Sequence, residues 1–272
     1  MIVVTGATGN VGAPLVRALT TAGARVTGVS RGAPADPVPG VTYRQADLID
    51  PESLPLDGAT GLFLLTAADF LASGTGLTRT LERAAAAGAR RVVLLSSQGV
   101  RTGRHPAQLE AEVFASGLEW TVLRPGGFAS NALQWAESVR AHRTVAAPFA
   151  DVALPVVDPG DIAAMAAAAL LTDGHAGQRY ELTGPAAITP REQAAALAAA
   201  LGEPLRFLEL TRAEAAGQLS AFMPAPVAEA TLDILGSPTP EEQRVNPDIE
   251  RVLGRPAASL AEWAARSTAA FR

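Results

Sequence analysis

Short apolar runs alternate with amphipathic stretches along the first part of the chain. Ile2-Val3-Val4 is followed by Val11, Leu15, Val16 and Leu19 at helical spacing, and Gly23 ends that pattern. Residues 25–29, 41–44, 61–65, 91–97 and 120–123 read as further strands, with an alanine-rich helix ending at Gly88 and another over 107–115 between them. Strands and helices of these lengths in alternation predict a parallel sheet with right-handed crossovers. Residues 154–158 read as a last sheet segment, covered by a helix over 161–171. Further on, Thr189, Thr211, Thr239 and Ser259 each stand three residues before a glutamate. That is the spacing of a helix-capping box, so helices are expected to dominate there. The pattern predicts an α/β fold: a Rossmann-type doubly wound parallel sheet with a smaller, mainly helical C-terminal lobe. We divide the chain into a nucleotide-binding domain over 1–150 and, over 151–272, sheet completion with that lobe.

The stretch between the first strand and first helix is Thr5-Gly6-Ala7-Thr8-Gly9-Asn10-Val11-Gly12. Gly6 can take a backbone conformation closed to other residues, Gly9 lets a ligand approach the backbone, and Gly12 lets the helix pack close to its strand. The N–H groups that open the helix, with the positive end of its dipole, form an anion site suited to a pyrophosphate. The spacing is G-x-x-G-x-x-G. Its setting, strand before and helix after, is the one a dinucleotide fingerprint requires.

Composition narrows the chemistry. With 272 residues the chain can bury a large core, and its formal charge of −5 gives no electrostatic support to a nucleic-acid partner. No apolar run reaches the length of a membrane span and the chain opens on a strand, so a soluble, cytoplasmic protein without membrane partners is expected. Cysteine is absent, and the three histidines, His105, His142 and His175, are scattered, which argues against thiolate chemistry and a metal site. All 22 basic residues are arginine. No lysine can therefore serve as a catalytic amine or steady a tyrosinate.

The second strand runs into Ser30-Arg31, the position that faces the adenosine ribose in this fold. An arginine there suits the 2′-phosphate of NADP; the alternative is a solvated loop residue beside Gly32-Ala33-Pro34. Asp47 is a candidate for the adenine edge, or a local turn or cap before Pro51-Glu52-Ser53. After the strand over 120–123 comes Arg124-Pro125-Gly126-Gly127-Phe128, a loop whose glycines allow close approach to a ligand.

These segments, with Ser96-Ser97, Glu110, the run from Ser116 to Phe128, Asn131, Val157-Asp158-Pro159-Gly160-Asp161-Ile162-Ala163 and Tyr180-Glu181-Leu182-Thr183-Gly184-Pro185, resemble the NmrA-like, NAD(P)-binding atypical short-chain dehydrogenase/reductases. The likeness spans essentially the whole chain. The family is functionally mixed, with quinone reductases, reductases of aromatic natural products and NADP-sensing regulators. The resemblance implies that Gly6, Thr8, Gly9, Asn10 and Val11 surround the pyrophosphate, Arg31 the adenosine phosphate, Asp47 and Leu48 the adenine, and Thr66 and Ala67 the ribose. Ser96, Ser97, Pro125, Gly126 and Phe128 would surround the nicotinamide. Gln98, Phe128, Trp135, Phe222 and Met223 would face the substrate, with core packing the alternative for the last three.

One departure from the ordinary dehydrogenases bears on mechanism. They use a Tyr-x-x-x-Lys pair, whereas the tyrosines here are Tyr43 and Tyr180 and lysine is absent. His105, after Ser97, is the catalytic candidate for proton transfer, against the reading of a surface loop residue. The expectation is hydride transfer from NADP(H), with NAD(H) open, to a quinone or electron-poor aromatic in a pocket between sheet and lobe, without metal or flavin. A hydroquinone product can react onward with O2, giving net hydroxylation. The alternative is a non-catalytic NADP(H)-sensing regulator of the NmrA type. Oligomeric state is open.

Overall fold

The computed structural model describes residues 1–66, 68–221 and 223–272. The first part of the chain gives β1 (Ile2–Thr5), α1 (Gly12–Thr21), β2 (Val26–Ser30), β3 (Thr42–Gln45) and β4 (Gly61–Leu65). It continues through α2 (Ala68–Ser73), α3 (Thr78–Ala86), β5 (Arg91–Leu95), α4 (Gln98–Arg101), α5 (Gln108–Ala115) and β6 (Glu119–Pro125). Next come α6 (Ala136–His142), β7 (Thr144–Pro148), α7 (Pro159–Leu171) and β8 (Gln178–Leu182). The last part holds α8 (Pro190–Leu201), β9 (Arg206–Leu210), α9 (Arg212–Leu219), α10 (Ala225–Gly236), α11 (Asp248–Leu253) and α12 (Leu260–Ser267).

Seven strands form one parallel sheet in the order β3-β2-β1-β4-β5-β6-β8. Side chains alternate between its faces. Val3, Leu62, Leu64, Val92, Leu94 and Val122 share one buried cluster with Leu77 and Leu81 of α3 and Val113 of α5. The intervening Val4, Phe63 and Val93, also buried, point to the opposite face, where α1 and α7 pack on each other. Covered on both faces, the central strands read as continuous apolar runs, as the sequence shows.

Two compact units divide the chain. One comprises Met1–Pro125, Pro159–Leu182 and Asp248–Arg255; the other comprises Gly126–Asp158, Thr183–Pro247 and Pro256–Arg272. The units are thus interleaved along the chain, whereas the sequence reading divides it once, at residue 150. In the second unit β7 and β9 form a two-stranded parallel sheet, and α8 packs on α12. Trp135, Val139, Val145, Leu197, Trp263 and Phe271 belong to that unit's core, with the Trp263 and Phe271 rings edge to face at 6.4 Å.

Residues 154–158 correct the sequence reading. They form no ladder strand: Leu154 makes an isolated antiparallel bridge to Ile188, and Val157 a parallel one to Phe128. Pro155 has no N–H to give a ladder. The seventh place in the sheet goes to β8, whose Leu182 lies beside Pro125. Reciprocal capping boxes open α8, α9 and α12 at Thr189, Thr211 and Ser259. Thr239 and Glu242 exchange the same two bonds, at 2.8 and 3.3 Å, but over a turn that does not continue into a helix.

Candidate active site

Because the seven strands are parallel, the residues that follow them lie along one edge of the sheet. Reading across the strand order, Asp47 follows β3, Arg31 follows β2, the glycine turn follows β1, Thr66 follows β4, Ser96 and Ser97 follow β5, and Pro125 ends β6. The order reverses between β1 and β4, the switch point at which ligands lie in open α/β sheets. The structure therefore brings these residues of the first unit into one row. Gly126, Phe128, Trp135 and Met223 belong to the second unit, and Ala67 and Phe222 lie outside the described residues.

The turn is built by close packing. Gly6 has φ +64°, a backbone region that favours glycine, and its carbonyl accepts from Gly9 N–H at 3.0 Å. A Cβ on Gly12 would stand 2.0 Å from the Gly6 carbonyl oxygen, so only glycine lets α1 begin this close to β1. Thr8, Gly9 and Asn10 are exposed between them. The N-cap residue of α1, Val11, makes no side-chain cap bond, and no acid stands in the first turn. A helix start without an acid in its first turn and with exposed residues before it fits an anionic pyrophosphate. The Thr5 hydroxyl fixes the turn to the neighbouring strand, donating to Phe63 O at 3.1 Å and accepting from Leu65 N–H at 2.8 Å.

Arg31 is exposed, and the Ser30 hydroxyl donates to Gly32 O at 2.6 Å, which shapes the bend carrying it. The Asp47 carboxylate accepts from Ile49 N–H at 3.0 Å, a turn of its own backbone, and Leu48 is buried in the core cluster. Gln98 is buried at the start of α4, and Trp135 is 7% exposed within the second unit's core. Phe128 is half-buried beside the Val157 bridge, and the half-buried Met223 accepts a long contact, 3.9 Å, from the Thr231 hydroxyl. His105 is exposed, with Nδ1 3.0 Å from the Ser97 hydroxyl. Among the described residues, no group of three or more acids and histidines could hold a metal ion, and no helix is long and apolar enough to cross a membrane.

Beneath Ser96 lies a charged network that the residue-by-residue reading missed. Glu110, 2% exposed, accepts from the Ser96 hydroxyl at 2.5 Å and from Arg124 twice, at 3.0 and 2.6 Å. Arg124 also reaches Glu181 at 3.4 Å, and Glu181 N–H donates to Asp248 at 2.8 Å. Among the described residues, the other Glu181 oxygen is buried without a hydrogen-bond partner. Burial pushes the Glu181 carboxyl above the usual range, opposed by the charges of Arg101 and Arg124. The available signal was a charged residue next to apolar ones near a strand's end: Arg124 after Val122-Leu123, and Glu181 between Tyr180 and Leu182.

The profile of the NAD(P)H-binding family matches residues 6–173. The chain is similar to a (4-alkanoyl-5-oxo-2,5-dihydrofuran-3-yl)methyl phosphate reductase of Streptomyces griseus, 38% identical over all of this chain and 99% of that one. It is 32% identical to an NAD(P)H azoreductase of Xenophilus azovorans, again over all of this chain and 99% of the other. The NADPH-dependent quinone oxidoreductase QOR2 of Escherichia coli, solved with NADPH, superposes with a TM-score of 0.78 at 25% identity, covering 98% of this chain and all of that one.

Two outcomes follow from this geometry. A Cβ on Gly9 would meet only the Gly6 carbonyl oxygen, at 3.3 Å, so Gly9→Val should fold with unchanged circular dichroism while its side chain occupies the anion's place. Titration should show NADPH binding lost by at least tenfold; undiminished affinity would remove the turn from the site. For Glu181, a raised pKa means that folding prefers the protonated form. Its contribution is complete below the unfolded pKa of about 4.3 and is lost as pH rises through the folded value. Glu181→Gln, neutral throughout, should raise the melting temperature at pH 8 relative to the parent and flatten its fall above pH 5.

Proposed function

The chain belongs to the NAD(P)H-binding, NmrA-like family of atypical short-chain dehydrogenase/reductases, and from that premise we propose that it moves hydride from NADPH to a conjugated, electron-poor acceptor such as a quinone. The observation that carries this reading is the row along the sheet edge, from Asp47 and Arg31 through the glycine turn to Ser96 and Ser97. Thr8, Gly9 and Asn10 with the start of α1 would hold the pyrophosphate, Arg31 the 2′-phosphate, and Asp47, Leu48 and Thr66 the adenosine. Ser96, Ser97 and Pro125 would stand at the nicotinamide end, with Gly126 and Phe128 following in the chain. The reduced nicotinamide supplies the hydride. The protein aligns donor and acceptor and keeps bulk water away.

The acceptors named for the relatives share one property. The oxo-dihydrofuran carries a double bond conjugated to carbonyls, the azo group is an electron-poor N=N bond, and a quinone delocalises charge over its ring. Each accepts hydride without first forming a localised alkoxide. That suits a chain without lysine, in which a Tyr-x-x-x-Lys pair cannot form. The naming of these relatives as reductases weighs against a sensor that binds NADP(H) without chemistry.

Steady-state assays with NADPH are expected to show turnover of quinones and conjugated aromatic acceptors and negligible oxidation of simple secondary alcohols. Tight NADPH binding without turnover of any such acceptor would establish the sensor instead. An oxygen electrode in the same assay reads whether a hydroquinone product goes on to consume O2. Cofactor preference tests Arg31: NADPH should bind about ten- to a hundredfold more tightly than NADH, the worth of a charge-assisted bond to phosphate, and Arg31→Asp should reverse the order. A parent that binds NADH more tightly would make Arg31 a solvated loop residue.

A further inference from the structure

Ser97 and His105 form a pair whose construction exceeds what a helix cap requires. Ser97 follows β5 at the nicotinamide end of the row, and its hydroxyl accepts from Gly99 N–H at 3.0 Å as the cap of α4. His105 stands eight residues on, yet its Nδ1 lies 3.0 Å from the same hydroxyl. Two backbone bonds seat it: His105 N–H and Arg104 N–H both donate to Gly99 O, at 2.9 and 2.8 Å. The ring lies against Gly99, where a Cβ would come within 2.6 Å of Nδ1. Three constraints therefore converge on one contact, between a half-buried hydroxyl at the sheet edge and an exposed imidazole.

We infer that Ser97 is the residue that hands a proton to the hydride-reduced acceptor, and that His105, acting through it, is its reservoir; this rests on the reductase reading above. A serine hydroxyl has two acceptor lone pairs and one proton. When His105 is protonated, Gly99 N–H and His105 Nδ1–H occupy both lone pairs, and the hydroxyl proton is the one thing Ser97 has left to offer. Hydride from the reduced nicotinamide adds to one atom of the acceptor's double bond, leaving an electron pair on the conjugated partner atom. As that atom takes the Ser97 proton, Nδ1–H passes to the serine oxygen. No free alkoxide forms, His105 becomes neutral, and solvent reprotonates its exposed ring. The net change is oxidation of the dinucleotide, with one hydride and one proton added to the acceptor. The benefit scales with the basicity of the reduced acceptor, so the pair extends the substrate class from quinones, whose reduced oxyanion is a weakly basic phenolate, to azo and enone acceptors, whose reduced nitrogen or carbon is strongly basic.

The test compares an azo dye with a benzoquinone, both with NADPH. His105→Asn can hold the Ser97 hydroxyl but carries no exchangeable acid proton, so azo turnover should fall about a hundredfold and quinone turnover by less than tenfold, following the usual worth of general-acid catalysis. Gly99→Ala removes no polar atom and displaces the ring, and should reproduce the selective loss. Millimolar imidazole should restore azo turnover to His105→Ala. A readout independent of turnover is the 15N spectrum of the protein without cofactor: the hydrogen-bonded Nδ1 signal of His105 should be present in the parent and lost in Ser97→Ala. Parental azo turnover in His105→Asn, equal losses with both acceptors, or a His105 signal indifferent to Ser97→Ala would overturn the relay while leaving the reductase standing. A parent that turns over neither acceptor would overturn both.

Discussion

The nucleotide-binding unit depends on how closely α1 can approach the end of β1. A backbone carbonyl occupies the place where any side chain on Gly12 would begin, so the helix axis is aimed by exclusion rather than by attraction. Once the helix is placed, it starts beside the end of β1 at the sheet edge. The Thr5 hydroxyl then fastens that edge to β4 with one bond donated and one accepted, tying together the strands on either side of the switch point. Everything assigned to cofactor binding in this unit is positioned relative to that short contact.

Charge is handled differently at the other end of the row. Glu110 has partners on both carboxylate oxygens, two bonds from one guanidinium and one from Ser96. Glu181 shares the same guanidinium at longer range and keeps an oxygen without a partner. Arg124 is thus shared between two buried acids and lies closer to Glu110, while the charge of Arg101 also acts on Glu181. The satisfied acid fixes the hydroxyl of Ser96; burial of the other, one of whose oxygens has no hydrogen-bond partner among the described residues, pushes its carboxyl pKa up.

How much of this could be read beforehand depended on whether the cause was local. The glycine turn, the strand ends at Ser30 and Leu65 and the capping boxes at Thr189, Thr211 and Ser259 follow from residues within a few positions of one another, and all were legible. Residues 154–158 misled because their apolar pattern suits a strand while Pro155 withholds a ladder bond, and Gln178–Leu182 gave no contrast, being polar at its start. The β7 and β9 pair was missed because Thr144–Pro148 holds two alanines and its partner lies some sixty residues away. Asp47 is bonded to its own turn, the local alternative weighed for it. The Glu110, Arg124 and Glu181 network was illegible as geometry, since no short spacing announces contacts across 14 and 57 residues.

The two units are each assembled from three separate stretches of chain. No single cut yields either one, and a graft that carried the second unit to another nucleotide-binding unit would need five breakpoints to be matched at once. Each crossing lies beside charge pairs that close within one unit, Asp161 with Arg255 and Asp158 with Arg266 among them. New specificities in a chain of this design are therefore reached by substitution and loop change in place, since recombination would have to exchange every stretch together to keep those pairs matched.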